Sequence, residues 1–382
     1  MKHEIFESND NIETINDEVN DYYSNDDLYT INSWGADLSF RELITMKDDN
    51  EMVKPELQRK FVWDRTEASG FIDSVLLGLP VPSIFLAKTT EEKYLIIDGY
   101  QRITTVFDFV KGVFSQDNKV FKLANSEKIN KKWRGKAFIE LEEKDQRRIK
   151  NTTIHAIIFE QIHPSENNTS LFQIFERINT TGRTLYPQEI RNCVYQGSMN
   201  SLLLSLNGGE IWRKLFGQKE EDLRMRDMEY ILRFLALSSD DFSSSKIKSI
   251  SLKKYLNEFM GNSKNNTKEQ IAFFTKYFNN MIDKVFEILG TTAFNNISKK
   301  NNEHIPKFHP TIFDAISIST AYAIDNNFDF KSINDYKKRH INLLKDENFT
   351  NYISIRTTNR EHISGRIKLA CEHLYGLKYE QQ

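Results

Sequence analysis

The chain has 382 residues, enough to bury one large core or two smaller ones, and its net charge of −2 argues against a surface that coats nucleic acid throughout. A local basic groove is compatible with that sum. Cys193 and Cys371 lie far apart with no paired spacing, so neither a disulfide framework nor a zinc site is indicated and a reducing compartment is expected. No apolar run approaches the ~20 residues of a membrane span, and the N-terminus lacks a basic-then-apolar leader. The expectation is a soluble, cytoplasmic protein with no membrane partner.

Residues 1–30 hold nine acidic side chains against a single lysine, which reads as a mobile or loosely docked arm. Order is expected from about Ile31-Asn32-Ser33-Trp34. Ser39 then caps a helix, with Glu42 at the capping-box position. From Glu67 to Gly78 the apolar residues Phe71, Ile72, Val75 and Leu76 recur at helical spacing, and Gly78 and Pro80 stop the helix. Ser83–Ala87 and Tyr94–Ile97 are short β-prone runs, a plausible hairpin. Ile103 to Phe114 is predicted helical with Ile103, Val106, Phe107 and Val110 inward. Thr152–Phe159 reads as a buried strand and Leu171–Ile178 as a helix. Beyond Pro187 long helical patterns follow, strand signals nearly vanish, and the stretches around Ser238–Ser245, Gly261–Thr267 and Asn295–Glu303 read as loops. The fold class is therefore α+β: an acidic arm over 1–30, an α+β domain over 31–190, and a mostly α-helical domain over 191–382, without internal repeats.

Chemistry concentrates in Leu95-Ile96-Ile97-Asp98-Gly99-Tyr100-Gln101-Arg102-Ile103, where an apolar strand ends in a tight turn and a helix begins. Gly99 lets the backbone reverse and a ligand approach closely. A helix start favours anions, and Arg102 adds a planar, permanently charged fork suited to phosphate. Asp98 supplies the hard oxygen that Mg²⁺ prefers when it bridges to a substrate phosphate. The same string also reads as an ordinary Asp-Gly turn followed by a surface arginine.

Three blocks in order bear on that choice: Pro55-Glu56-Leu57-Gln58-Arg59-Lys60-Phe61-Val62-Trp63-Asp64, the Asp98–Arg102 turn, and Phe175-Glu176-Arg177-Ile178-Asn179-Thr180-Thr181-Gly182-Arg183 followed by Gln188-Glu189-Ile190-Arg191-Asn192. Together they resemble the N-terminal domain of GmrSD-type modification-dependent restriction enzymes, which carries an Asp-Gly-Gln-Gln-Arg signature and is related in fold to ParB and sulfiredoxin. The resemblance covers roughly Ser33 to Asn192. It extends more loosely through Arg226-Asp227-Met228-Glu229-Tyr230-Ile231-Leu232-Arg233-Phe234 and Phe308-His309-Pro310-Thr311-Ile312-Phe313-Asp314-Ala315.

The resemblance implies a ParB/sulfiredoxin-like fold and a nucleotide site. Asp98 would position metal or water, Gln101 would orient a phosphate or the attacking water, and Arg102 would neutralise phosphate charge, with Mg²⁺ as the expected cofactor. Gly99, Tyr100, Thr104 and Thr105 join them as nucleotide-binding positions. Gln58 and Arg59 would face the same cleft, although their stretch equally reads as a loop capping the core with Phe61 and Trp63. Arg177 and Asn179 would approach the pocket, although a helix ending in Asn-Thr-Thr-Gly is also ordinary C-terminal punctuation. Tyr100 stands where the family has its first Gln; its ring could hydrogen-bond, stack on a base, or pack beside the turn.

Longer relatives add an HNH nuclease. Here Glu303, His304 and His309 lie in a helical stretch where a ββα-metal context cannot be placed, so a stand-alone form without that nuclease is expected. The implied function is a Mg²⁺-dependent NTPase of bacterial anti-phage defence, with a nucleoside triphosphate as ligand and DNA or a separately encoded defence protein as further partners. The alternative is a non-catalytic, ParB-like nucleotide switch that binds DNA or a partner.

Overall fold

The computed structural model describes residues 11–15, 30–53, 63–89, 91–163, 169–178, 186–195, 197–239, 242, 251–298 and 300–379. They fall into two compact units, Asp27–Gln196 and Gly197–Gln382, the latter together with Met1–Asp26. No helix among the described residues is long and apolar enough to cross a membrane.

The first unit is α+β. In chain order it contains β1 (Thr30–Ser39), α1 (Phe40–Asp48), β2 (Met52–Val53), α2 (Arg65–Leu77), β3 (Ile84–Lys88), β4 (Tyr94–Asp98), α3 (Tyr100–Lys111), β5 (Val113–Phe114), β6 (Lys119–Val120), α4 (Glu143–Asn151), β7 (Thr153–His163), α5 (Thr169–Ile178) and α6 (Pro187–Val194). A mixed sheet runs β1-β7-β3-β4-β2, antiparallel at β1/β7 and β3/β4 and parallel at β7/β3 and β4/β2.

Local chemistry sets the helix ends. Ser39 Oγ accepts from the Glu42 amide at 3.2 Å while the Glu42 carboxylate accepts from the Ser39 amide at 2.6 Å, closing the expected capping box. Asp64 caps α2 in the same way, and Gly78 ends it in the left-handed region. Ile72, Val75 and Leu76 of α2 and Ile103, Val106 and Phe109 of α3 pack with Ile84, Leu86 and Ile96 and with alternate residues Ile154, Ala156 and Ile158 of β7.

One expectation needs correction in this unit. Phe109, not Phe107, is the buried aromatic of α3; Phe107 is half-buried, with the Lys47 ammonium 3.9 Å from its ring. β1 carried no strand signal, since Asn32, Ser33 and Asp37 break any apolar alternation, and it is held by its ladder to β7. The unit ends at Gln196, close to the boundary expected near 190, and includes α6, whose Arg191 guanidinium lies 5.8 Å from the Phe172 ring of α5.

The second unit contains α7 (Ser198–Asn207), α8 (Glu210–Phe216), α9 (Arg226–Leu237), α10 (Leu252–Gly261), α11 (Lys268–Leu289), β8 (Asn295–Ile297), β9 (His304–Phe308), α12 (Pro310–Asp325), α13 (Tyr336–Lys345), α14 (Glu347–Ser354) and α15 (Arg360–Ala370). The stretch expected as a loop near Asn295–Glu303 instead begins an antiparallel hairpin, β8 with β9. Phe308 at its end fills an aromatic cluster with Trp212, Phe216, Tyr230 and Phe313, and that burial holds the hairpin.

Residues 11–15 of the acidic segment are docked here. The Glu13 amide donates to Phe308 O at 2.8 Å, the Phe308 amide donates to Asn11 O at 2.7 Å, and Ile12 and Ile15 are buried. Those two isoleucines supply the apolar surface that acidic composition alone obscured.

Buried charge organises the core of this unit. Asp314 of α12 accepts through Oδ2 from Arg233 and from Arg366, each at 2.6 Å, and all three side chains are fully buried. Asp227 is buried too, paired with Arg213 at 2.9 Å and accepting from Asn207 at 3.0 Å. His304 and His340 stack with ring centroids 5.8 Å apart; burial pushes the His340 imidazole down to about 3 and lowers that of His304 as well.

Two outcomes follow for this unit. Removing the shared acceptor takes from two buried guanidiniums the carboxylate they both bond, so Asp314→Ala should cost about 3–5 kcal/mol in urea unfolding. For the histidines, the unfolded chain takes up protons near the ordinary value of 6.5 that the folded unit refuses. Their contribution is therefore whole above that pH and is lost as pH falls, by up to about 1.4 kcal/mol per pH unit for each ring. Urea midpoints measured from pH 7.5 to 5 should decline with a slope that His340→Gln reduces.

Candidate functional site

β4 ends at Asp98, where its apolar residues give way to a carboxylate at the sheet margin. Gly99 then takes φ +103 and ψ 2, and a Cβ there would run into Cγ2 of Ile84 on β3. Only glycine meets both demands, the left-handed backbone and the close strand. The chain reverses and α3 begins, closed by the Ile103 amide donating to Gly99 O at 2.9 Å.

One helical turn beyond Asp98, Arg102 folds back onto it. Arg102 Nη2 donates to Asp98 Oδ2 at 2.7 Å and to Ser83 O at 3.1 Å. The Asp98 side chain is 44% exposed and that of Arg102 only 16%. The carboxylate thus meets solvent while the guanidinium is fixed between strand end and backbone. Nε of Arg102 is buried without a partner among the described residues. At the far end of α3, buried Asp108 accepts from Ser115 N and Oγ, each at 2.7 Å; burial pushes its carboxyl up and those bonds pull it back.

The other positions singled out from the sequence take different places. The Trp63 amide donates to Gln101 Oε1 at 3.4 Å, so this side chain ties the entry to α2 onto the turn. Tyr100 is 9% exposed and packs with the hydrophobic core. Thr104 and Thr105 are buried in the second turn of α3, and their hydroxyls find no partner among the described residues. Arg177 is an exposed residue in the last turn of α5. Gln58, Arg59, Asn179, Gly182 and Arg183 lie outside the described residues.

Several motif residues turn out to be architectural. In α6, Gln188 donates to Asn192 at 3.1 Å and accepts from Arg191 at 3.1 Å, all three side chains being buried. His304 stacks on His340, while His309 lies 3.1 Å from the Thr311 hydroxyl. Among the described residues no three His, Cys, Asp or Glu side chains converge on a common point. A lone carboxylate such as Asp98 suits Mg²⁺ delivered with phosphates, not a resident all-protein metal site.

The sequence reading missed a polar stripe on α2. Arg65 donates to both carboxylate oxygens of Asp117 and to Val120 O at 3.0 Å. Ser69 Oγ accepts from the Ala124 amide at 2.8 Å. Asp73 Oδ1 accepts from the Asn130 amide at 3.0 Å and from Trp133 Nε1 at 2.5 Å. The signal was present, since three polar residues four apart on an apolar helix share one face.

Residues 40–196 match the family model described as GmrSD restriction endonuclease, N-terminal domain. No curated protein and no solved structure matches the chain. The match ends where the first compact unit ends, and it begins after β1.

The turn geometry makes a paired prediction. Gly99→Ala should lower stability by at least about 1–3 kcal/mol, through left-handed strain plus the clash with Ile84. Gly70→Ala should instead raise it by about 0.5–1 kcal/mol, because Gly70 lies inside α2 with nothing within 4 Å of the added carbon. Urea midpoints of the two variants read both signs.

Proposed function

We propose, from a segment that belongs to the GmrSD restriction endonuclease N-terminal domain family of restriction-type anti-phage defence, that the Asp98–Arg102 turn binds and hydrolyses nucleoside triphosphates. The observation that carries this reading is the Asp98–Arg102 contact at 2.7 Å. There a solvent-facing carboxylate and an anchored guanidinium meet at a strand end and a helix start. Phosphoryl transfer asks a protein mainly for positioning and charge neutralisation. Arg102, held on Ser83 O, presents charge in a fixed orientation and would take a phosphate in the bidentate manner its fork permits. Asp98 would offer an oxygen to Mg²⁺ entering with the phosphates, the ion supplying charge neutralisation and leaving-group stabilisation. Asp98 also accepts hydrogen bonds and so orients a water at the phosphate.

One observation favours a second reading, a nucleotide switch with negligible turnover. Gln101 Oε1 accepts from the Trp63 backbone and Tyr100 is buried in the core, so both side chains beside the Asp98–Arg102 pair are engaged with the fold.

A panel of NTPs and dNTPs with Mg²⁺, scored for released phosphate and for bound nucleotide, tests both. Asp98→Asn should abolish turnover with little change in melting temperature, since a half-exposed ion pair contributes at most about 1 kcal/mol. Arg102→Ala should weaken nucleotide binding by the ~1.5–3 kcal/mol of a charge-assisted contact. Binding without turnover in the unsubstituted protein selects the switch; absence of binding across the panel removes both readings.

A further inference from the structure

Helix α2 is tied to the first turn of α3 beyond both of its ends. Ahead of α2, the Trp63 amide donates to Gln101 Oε1; after it, Ser83 O accepts from Arg102 Nη2. Along its length, Arg65, Ser69 and Asp73 hold the backbone of the excursion that follows β5, at Val120, Ala124 and Asn130. The side chains Phe121, Leu123, Ile129 and Trp133 are buried in the same core as α2. Over 119–136 the excursion carries seven basic residues against one acidic, Glu127, in a chain whose net charge is −2. Lys128 and Lys131 are exposed on it.

We propose that α2 couples the Asp98–Arg102 turn to this basic excursion, so that an anion held at the turn alters how those lysines are presented. An NH₂ group has two hydrogens, and Arg102 Nη2 gives one to Asp98 and one to Ser83 O. A phosphate that takes either hydrogen displaces the carboxylate or releases the segment leaving α2. Ile72, Val75 and Leu76 are closely packed, so α2 responds as a body and does not deform locally. Its Ser69 and Asp73 acceptors move with it, and the amides they protect report the shift. The anion rests on the nucleotide reading above; the mechanical link does not. Both ends of the link bias one element, which is the physical requirement for coupling.

Amide hydrogen exchange on the full chain decides this. Without any ligand, Arg102→Gln should speed exchange at the Ala124 and Asn130 amides about tenfold while the β1–β7 ladder keeps its protection. Gln101→Ala, which removes the tie to Trp63, should move the same two amides in the same direction and serves if Arg102→Gln does not fold. Inorganic tripolyphosphate with Mg²⁺, added to the unsubstituted protein, should change exchange at Ala124 and Asn130. Exchange at both amides equal to the unsubstituted protein in the two variants overturns the coupling, as does equal acceleration of the ladder. Tripolyphosphate that binds without moving these amides overturns it too. Failure of any triphosphate to bind counts against the nucleotide reading, while the ligand-free variants still decide the coupling.

Discussion

Gly99 lies so close to Ile84 that no side chain fits between them, and the first unit is arranged around that approach. With strand β4 ending beside its antiparallel neighbour β3, α3 starts in a direction that brings Arg102 back onto Asp98. Ser83, next to Ile84, then lies within reach of the same guanidinium. A bulkier residue at 99 would separate all three. The polar site is therefore a consequence of an apolar contact, and its geometry is as stiff as the sheet beneath it.

The residues of the turn divide by what holds them. Asp98 is set by the strand and remains open to solvent. Arg102 is set by two acceptors and is largely enclosed. Gln101 faces the entry to α2, and Tyr100 belongs to the core. Within these five residues Asp98 and Arg102 form an ion pair, while Gln101 and Tyr100 also contact the surrounding fold. In α6 likewise, buried Gln188 bonds both Arg191 and Asn192 inside the protein.

The second unit uses buried charge in the same architectural way. Two motif blocks far apart in sequence meet where Arg233 reaches Asp314, and Arg366 completes the group from α15. One carboxylate between two guanidiniums is costly to desolvate but leaves few alternatives for how α9, α12 and α15 pack. The aromatic cluster around Trp212 and Phe308 supplies the apolar burial that offsets that cost.

What the sequence by itself determined is local. The Ser39 cap, the Gly78 stop, the β3–β4 hairpin and the strand–turn–helix at Asp98 depend on residues within a few positions of one another, whose propensities and spacings are written consecutively. The α+β character of the first unit and the helical character of the second follow from that periodicity. Tertiary structure decided what periodicity cannot encode. It chose Phe109 over Phe107 for the core, drew Tyr100 inward, paired polar β1 with β7, and formed a hairpin at β8–β9 under the aromatic cluster. It also joined Asp314 to Arg233 across 81 positions and to Arg366 across 52. Such contacts depend on the path of the backbone between them, and a buried polar group shows in the sequence only as a polar group until its partner arrives.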